Sequence, residues 1–142
     1  MTSKKIRKIL VPIDGSKDSF KGLDEAIYLA RQCGSTITGL HVVPIYPVRF
    51  GDLFEPFKKE AFKKARKFMG KAKTISAQNG IIFNEQISYG EVKWDIVDYA
   101  HGRKFDIIII GSRGFGQIRE MFLGSVTNYV VHKSKIPVLV VK

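Results

Sequence analysis

"DIIIIGSRGFGQIREMFLGSVTNYVVHK", Asp106 to Lys133, runs from four consecutive isoleucines through a loop of glycines and arginines into a segment with helical spacing. Ile107 to Ile110 offer no polar alternation, so they read as a strand covered on both faces, the pattern of a parallel sheet sandwiched between helices. Ser125 to Lys133 reads as the helix that follows. A strand, a glycine loop and a helix in that order form half of a β-α-β unit, and its partners should lie on either side.

They do. "KILVPI", Lys8 to Ile13, is a compact β-branched run, and "DGSKDS" after it supplies turn and helix-cap residues. Phe20, Leu23, Ile27 and Ala30 then fall at helical spacing until Gly34 stops the helix. "STITGLHVV", Ser35 to Val43, is a second strand, and Pro44 with Pro47 opens an irregular loop through Leu53. Pro56 suits the first turn of a long helix whose apolar stripe is Phe57, Ala61, Phe62, Ala65, Phe68, Met69, Ala72 and Ile75, ending at Asn79 and Gly80. Ile81 to Tyr89 reads as a third strand, Val92, Ile96, Val97 and Ala100 as one side of a short helix, and "IPVLVVK", Ile136 to Lys142, as a closing strand. The expectation is one domain over residues 1–142: an α/β fold, doubly wound, with a five-stranded parallel sheet and four helices. Ligands of such sheets sit beyond the carboxyl ends of the strands, here the loops after Ile13, Val43, Tyr89 and Ile110.

The chain has 142 residues, 44% of them hydrophobic and 26% charged, which suits a single globular core and argues against disorder. Its one cysteine, Cys33, has no internal disulfide partner and sits in a helical pattern, so a buried apolar role in a reducing cytoplasm is expected. The N-terminal apolar stretch is short and broken by Pro12 and Asp14, unlike a secretory signal, and no run approaches the length of a membrane span. The net charge of +11 attracts anions, whether nucleic acid, acidic membrane or phosphorylated small molecules. Much of it lies in "KKEAFKKARKFMGKAK", Lys58 to Lys73, whose phenylalanines fall on the apolar stripe rather than among the lysines. The interleaved stacking surface of a single-strand binder is therefore missing, and a solvated face is favoured over a nucleic-acid site.

Gly111 to Val126 holds four glycines and two arginines, Arg113 and Arg119. Glycines remove side chains, so backbone N–H groups can surround phosphate oxygens, and the free N–H groups of a helix beginning at Ser125 and Val126 give a second anion contact. On spacing alone the segment reads equally as a surface loop with turn glycines. It is neither a G-x-x-x-x-G-K-[ST] loop nor a dinucleotide fingerprint.

The spacing Gly111, two residues, Gly114, nine residues, Gly124-Ser125 resembles the G-2x-G-9x-G-[ST] signature of the ATP-binding subgroup of the universal stress protein family. "ILVPIDGS" resembles that family's opening strand and turn, "HVV" its second strand and "IPVLVVK" its end, so the likeness covers nearly the whole chain. The resemblance implies an adenine nucleotide alpha hydrolase-like sandwich and an ATP-binding, stress-response regulator with at most slow hydrolysis; AMP or cAMP remain alternatives. It implies that Pro12, Ile13 and Asp14 line the nucleoside pocket, Asp14 accepting from ribose hydroxyls, and that Val42 meets adenine through its backbone. Gly111, Arg113, Gly114, Gly124, Ser125 and Val126 would hold the phosphates. A helix-capping role for Asp14 is the alternative from the residues alone. The resemblance also implies a homodimer through the closing strand, which is short and apolar like an exposed edge. One departure stands out: many relatives carry proline two residues after the glycine matched to Gly90, where this chain has Val92, with Trp94 beside it. Trp94 reads as partly buried packing rather than a stacking platform.

His41, His101 and His132 lack metal-ligand spacing, so a protein-built metal site is not expected, and Mg²⁺ would arrive with a nucleotide. Ser112 and Ser125 lack a histidine partner in sequence, and the loop's one acid is Glu120, so neither nucleophilic catalysis nor efficient phosphoryl transfer is expected.

Overall fold

Alternate residues of the central strands bury into two separate cores, and this accounts for their unbroken apolar composition. In a computed structural model that describes residues 4–45, 51–115 and 123–142, the side chains of 51–54 excepted, the chain forms nine elements. These are β1 (Lys8–Pro12), α1 (Lys17–Cys33), β2 (Thr36–Pro44), α2 (Gly51–Gln78), β3 (Phe83–Gly90), α3 (Val92–Gly102), β4 (Ile107–Gly111), α4 (Ser125–Lys133) and β5 (Val138–Val141). The strands lie in the order β3-β2-β1-β4-β5, every pair parallel, with Ile9 opposite both Ile37 and Ile107. Ile9, Val11, Ile13, Ile37 and Ile109 pack with Leu23, Ala26, Met69 and Ala72 of α1 and α2. Leu10, Leu40, Val42, Ile108 and Ile110 pack with Ile96, Val97, Ala100 and Val130 of α3 and α4. Each fully buried aliphatic side chain contributes about 1.5–3 kcal/mol against the exposed state. The expected doubly wound α/β sandwich is what the chain forms.

Local chemistry fixes the ends. Ser16 caps α1 by accepting from the Ser19 N–H at 3.2 Å, and Gly34 closes it in the left-handed region at φ 69°. At the end of α2 the Gly80 N–H bonds to the Ala77 carbonyl and the Ile81 N–H to the Ser76 carbonyl, a Schellman closure with Gly80 at φ 71°. Ile81 thus serves as the apolar residue after the helix stop, and β3 begins at Phe83 rather than Ile81.

Three further expectations shift. The second helix begins at Gly51 rather than Pro56, so the proline sits in its second turn and withdraws one intrahelical donor. Phe57 faces solvent instead of joining the apolar stripe, and Cys33 is half-buried rather than enclosed. Trp94 is 55% exposed, stacking on Tyr129 with ring centroids 5.9 Å apart. Lys59, Lys63, Lys64, Arg66, Lys67, Lys71 and Lys73 are exposed along α2. Among the described residues no helix is long and apolar enough to cross a membrane.

Candidate functional site

The sheet reverses its winding between β1 and β4: from β1 the chain moves outward through β2 to β3, then returns to place β4 on the other side. Loops leaving neighbouring strands diverge at such a point and leave a crevice at the carboxyl edge. A cavity of about 260 Å³ lies there, bounded by Pro12, Ile13, Asp14, Val42, Gly111, Arg113, Gly114, Gly124 and Val126, all nine singled out from the sequence. Ser125, the tenth, is exposed as the first residue of α4 and is not part of the wall. Arg119 and Glu120 lie outside the described residues.

One flank is apolar. Leu40, Val42, Pro44, Val92, Ile96 and Ile110 come from β2, α3 and β4, a surface suited to a flat, weakly polar ring. Val92, at the position where proline was noted in relatives, forms part of this flank, whereas Trp94 does not reach it.

The other flank is bare backbone with charge. Gly114 stands so close to Asp14 that a Cβ on it would overlap the carboxylate Oδ2. A Cβ on Gly111 would likewise overlap the backbone carbonyl of Asp18, so at both positions the absent side chain permits the approach. Asp14 Oδ1 accepts from the Ser16 N–H at 2.8 Å, which fixes the carboxylate at the end of the β1 turn. The cap of α1 is Ser16, so Asp14 does not fill that role.

Of the helices that begin at this edge, α3 opens on Glu91 without a side-chain cap bond, and α1 and α4, which flank the glycine loop, differ from each other. The N-terminus of α1 has its side-chain cap, while α4 opens on Gly124 at φ −66° and ψ 162° with no side-chain cap. Its first turn is anchored from below: the Gly124 N–H donates to the Ser112 carbonyl at 2.8 Å and Thr127 Oγ1 donates to the Gly111 carbonyl at 2.8 Å. An uncapped first turn leaves N–H groups and the positive end of the helix dipole directed out of the helix, a ready contact for an anion.

His41, Thr127 and Asp18 belong to this neighbourhood and were not assigned to it from the sequence. His41 Nδ1 lies 2.8 Å from the Ile13 carbonyl oxygen, and because a carbonyl only accepts, Nδ1 carries the hydrogen. Burial holds the imidazole pKa below the usual histidine value, against the smaller opposing pull of the Ile13 carbonyl and the Asp14 charge. His101 accepts from the Lys135 N–H at 3.0 Å, far from the cavity wall, and His132 is exposed. Among the described residues no group of three or more histidine, cysteine, aspartate or glutamate side chains is arranged to hold a metal ion.

Residues 5–142 match the model of the universal stress protein family. The universal stress protein YxiE of Bacillus subtilis is 32% identical, the alignment covering 95% of this chain and 98% of that protein. The solved structure of UspA from Lactobacillus plantarum superposes with a TM-score of 0.91 at 26% identity, over 99% of this chain and 100% of that one. A universal stress protein from Archaeoglobus fulgidus, solved in complex with dAMP, superposes with a TM-score of 0.76 at 27% identity, over 96% of this chain and 98% of that one. Agreement in sequence and in fold from end to end leaves one assignment: the chain belongs to the universal stress protein family.

Proposed function

We propose that this protein binds an adenine nucleotide, ATP in preference to AMP or cAMP, in the crevice between β1 and β4, and acts as a regulatory stress-response protein. The observation that carries the reading is the pairing of Gly114 with Asp14 beside the uncapped N-terminus of α4. In this reading the fixed carboxylate accepts from ribose hydroxyls beside backbone that can close on phosphate. The dAMP complex of the related Archaeoglobus fulgidus protein supports the same ligand class.

In this reading adenine lies on the apolar flank against Val42, and Asp14 accepts from the ribose while Pro12 and Ile13 bound the sugar. Gly111, Gly114, Gly124, Ser125 and Val126 supply main-chain and hydroxyl donors to the phosphates, with Arg113 adding charge. Ser125, exposed outside the cavity wall, meets the distal part of the tail. Mg²⁺ travels with the nucleotide and keeps much of its water. In this reading the site binds nucleotide with at most slow hydrolysis. The half-exposed edge strand β5, with Leu139 open to solvent, is the surface for a homodimer. Cys33, a free thiol, is compatible with the cytoplasm.

Titration calorimetry with ATP, AMP, cAMP and adenosine tests the proposal. Heat with ATP and weaker binding of adenosine is expected; folded protein that gives no heat with any of the four at millimolar concentration overturns it.

A further inference from the structure

Phe68 of α2 stands behind the wall of the crevice and is not part of it. Its ring meets the imidazole of His41 at 87° with centroids 4.9 Å apart. The same ring lies on Gly15 so closely that a Cβ there would come within 2.7 Å of Phe68 Cδ2. His41 carries the hydrogen bond to the Ile13 carbonyl, and Gly15 turns the chain at φ 87°. One ring therefore touches the group that holds the residue before Asp14 and the residue after it. Ala65, Met69 and Ala72 beside Phe68 are fully buried, so α2 keeps the ring in place from the core side. Any apolar side chain of similar volume would fill a core position. Lying on a bare Cα while meeting an imidazole edge-on demands a flat, rigid ring.

We infer that Phe68 is a positioning residue for the Asp14 carboxylate, and that it sets the affinity for the nucleoside part of the ligand but not for the phosphates. The inference rests on the nucleotide reading above. Asp14 Oδ1 accepts from the Ser16 N–H two residues on, so this bond travels with the turn and cannot alone fix where the carboxylate stands in the crevice. Contacts from other elements do that: His41 of β2 on the near side of Asp14, and the ring from α2 on Gly15 at the far side. A smaller, more flexible side chain at 68 opens space over Gly15 and beside the imidazole together. The turn then relaxes toward α2 and takes the carboxylate with it, and hydrogen bonds to it weaken as their geometry is lost. The proposed phosphate contacts belong to the loop after β4 and to the first turn of α4, on the other side of the crevice.

A double-mutant cycle tests whether Phe68 acts through Asp14. Calorimetry with ATP, adenosine and inorganic triphosphate is run on the wild type, Phe68→Leu, Asp14→Asn and the double variant. Phe68→Met serves as a second variant should the leucine form melt early. Positioning predicts that Phe68→Leu weakens ATP and adenosine about three- to tenfold, a part of what a hydrogen bond to a charged group is worth. Triphosphate should change by less than about twofold, and the loss for ATP should shrink below about 1.5-fold once Asp14 is asparagine. ATP affinity that Phe68→Leu leaves unchanged overturns the proposal and makes the ring plain core packing. An equal loss with and without the Asp14 carboxylate overturns it in favour of a general loosening of the fold. Triphosphate weakened as strongly as adenosine overturns it in favour of a distortion of the whole crevice. Each of these leaves the nucleotide reading standing, whereas a wild type that binds none of the three ligands removes that reading and this proposal together.

Discussion

The ring of His41 donates from Nδ1 to the carbonyl oxygen of Ile13 at 2.8 Å, while the Ile13 N–H donates to the Leu40 carbonyl at 2.9 Å. Strand β2 thus grips the residue after β1 through both of its backbone polar groups. That residue precedes Asp14, so the grip fixes where the carboxylate enters the cavity. Phe68 of α2 packs its ring edge-on to the imidazole at 4.9 Å, which keeps the hydrogen bond dry and explains why burial dominates the histidine's titration.

This burial makes stability depend on pH. With the native pKa below 6.5, the unfolded chain binds the proton more readily than the folded one. Stability is then full above pH 6.5 and declines as the pH falls from there toward the depressed native value. Urea unfolding at several pH values between 5 and 7.5 should show this decline in the wild type and a shallower one in His41→Asn, which keeps a donor for the Ile13 carbonyl. Identical slopes in the two proteins would count against the account.

Gly114→Ala should separate binding from folding. Gly114 does not adopt the left-handed region, so alanine fits its backbone, but the added Cβ displaces the Asp14 carboxylate. Losing a charged hydrogen-bond acceptor costs about 1.5–3 kcal/mol, so ATP affinity should drop about tenfold or more. Unfolding free energy should fall by no more than about 1.5 kcal/mol, because the displacement also strains the bond from the Ser16 N–H to Asp14. Calorimetry and chemical denaturation measure the two quantities; unchanged affinity is the adverse result.

Lys104 holds a conformation that suits glycine. Its φ is 56°, at the end of α3, where its N–H bonds to the His101 carbonyl and the Phe105 N–H bonds to the Ala100 carbonyl. A side chain in this region is strained, so Lys104→Gly should stabilise the fold by about 0.5–1 kcal/mol after the entropy cost of glycine is subtracted. A denaturation midpoint that falls instead would contradict this.

The basic face of α2 carries internal repulsion. Lys59, Lys63 and Lys67 are exposed and spaced four residues apart. Lys63→Glu converts two repulsive neighbours into attractive ones and should add about 0.5–1 kcal/mol at low salt. The gain should fade in 1 M salt, where the Debye length is about 3 Å. A gain that persists at high salt points to a different cause.

Apolar periodicity and punctuation made most of the fold readable. Ser125–Lys133 forms α4 with the bounds its sequence suggested, and the isoleucines of β4 divide between two cores as an unbroken run requires. Boundaries failed where one residue could serve two local structures. Ile81 looks like the first residue of a strand, but the left-handed Gly80 turns it into the closing contact of a helix. Pro56 has the signature of a helix start, but the helix begins five residues earlier. The glycines and Asp14 were singled out through the likeness to the universal stress protein family, since on spacing alone the loop reads equally as a surface turn and Asp14 as a helix cap. His41 and Asp18 were not, since a lone histidine on a strand and an acid in a helix's first turn are common. Only the pairing of β2 with β1 and the approach of the loop after β4 to α1 bring His41 to the Ile13 carbonyl and Asp18 to Ser112 and Arg113.

The central claim is that oligophosphate is held by the bare main chain of the loop after β4 and by the first turn of α4. An experimental structure of the ATP complex tests it most directly. The account predicts phosphate oxygens within hydrogen-bond reach of the Gly114, Ser125 and Val126 amides, with ribose hydroxyls on Asp14. Phosphates bound along the lysines of α2, with the crevice between β1 and β4 left to solvent, would contradict it.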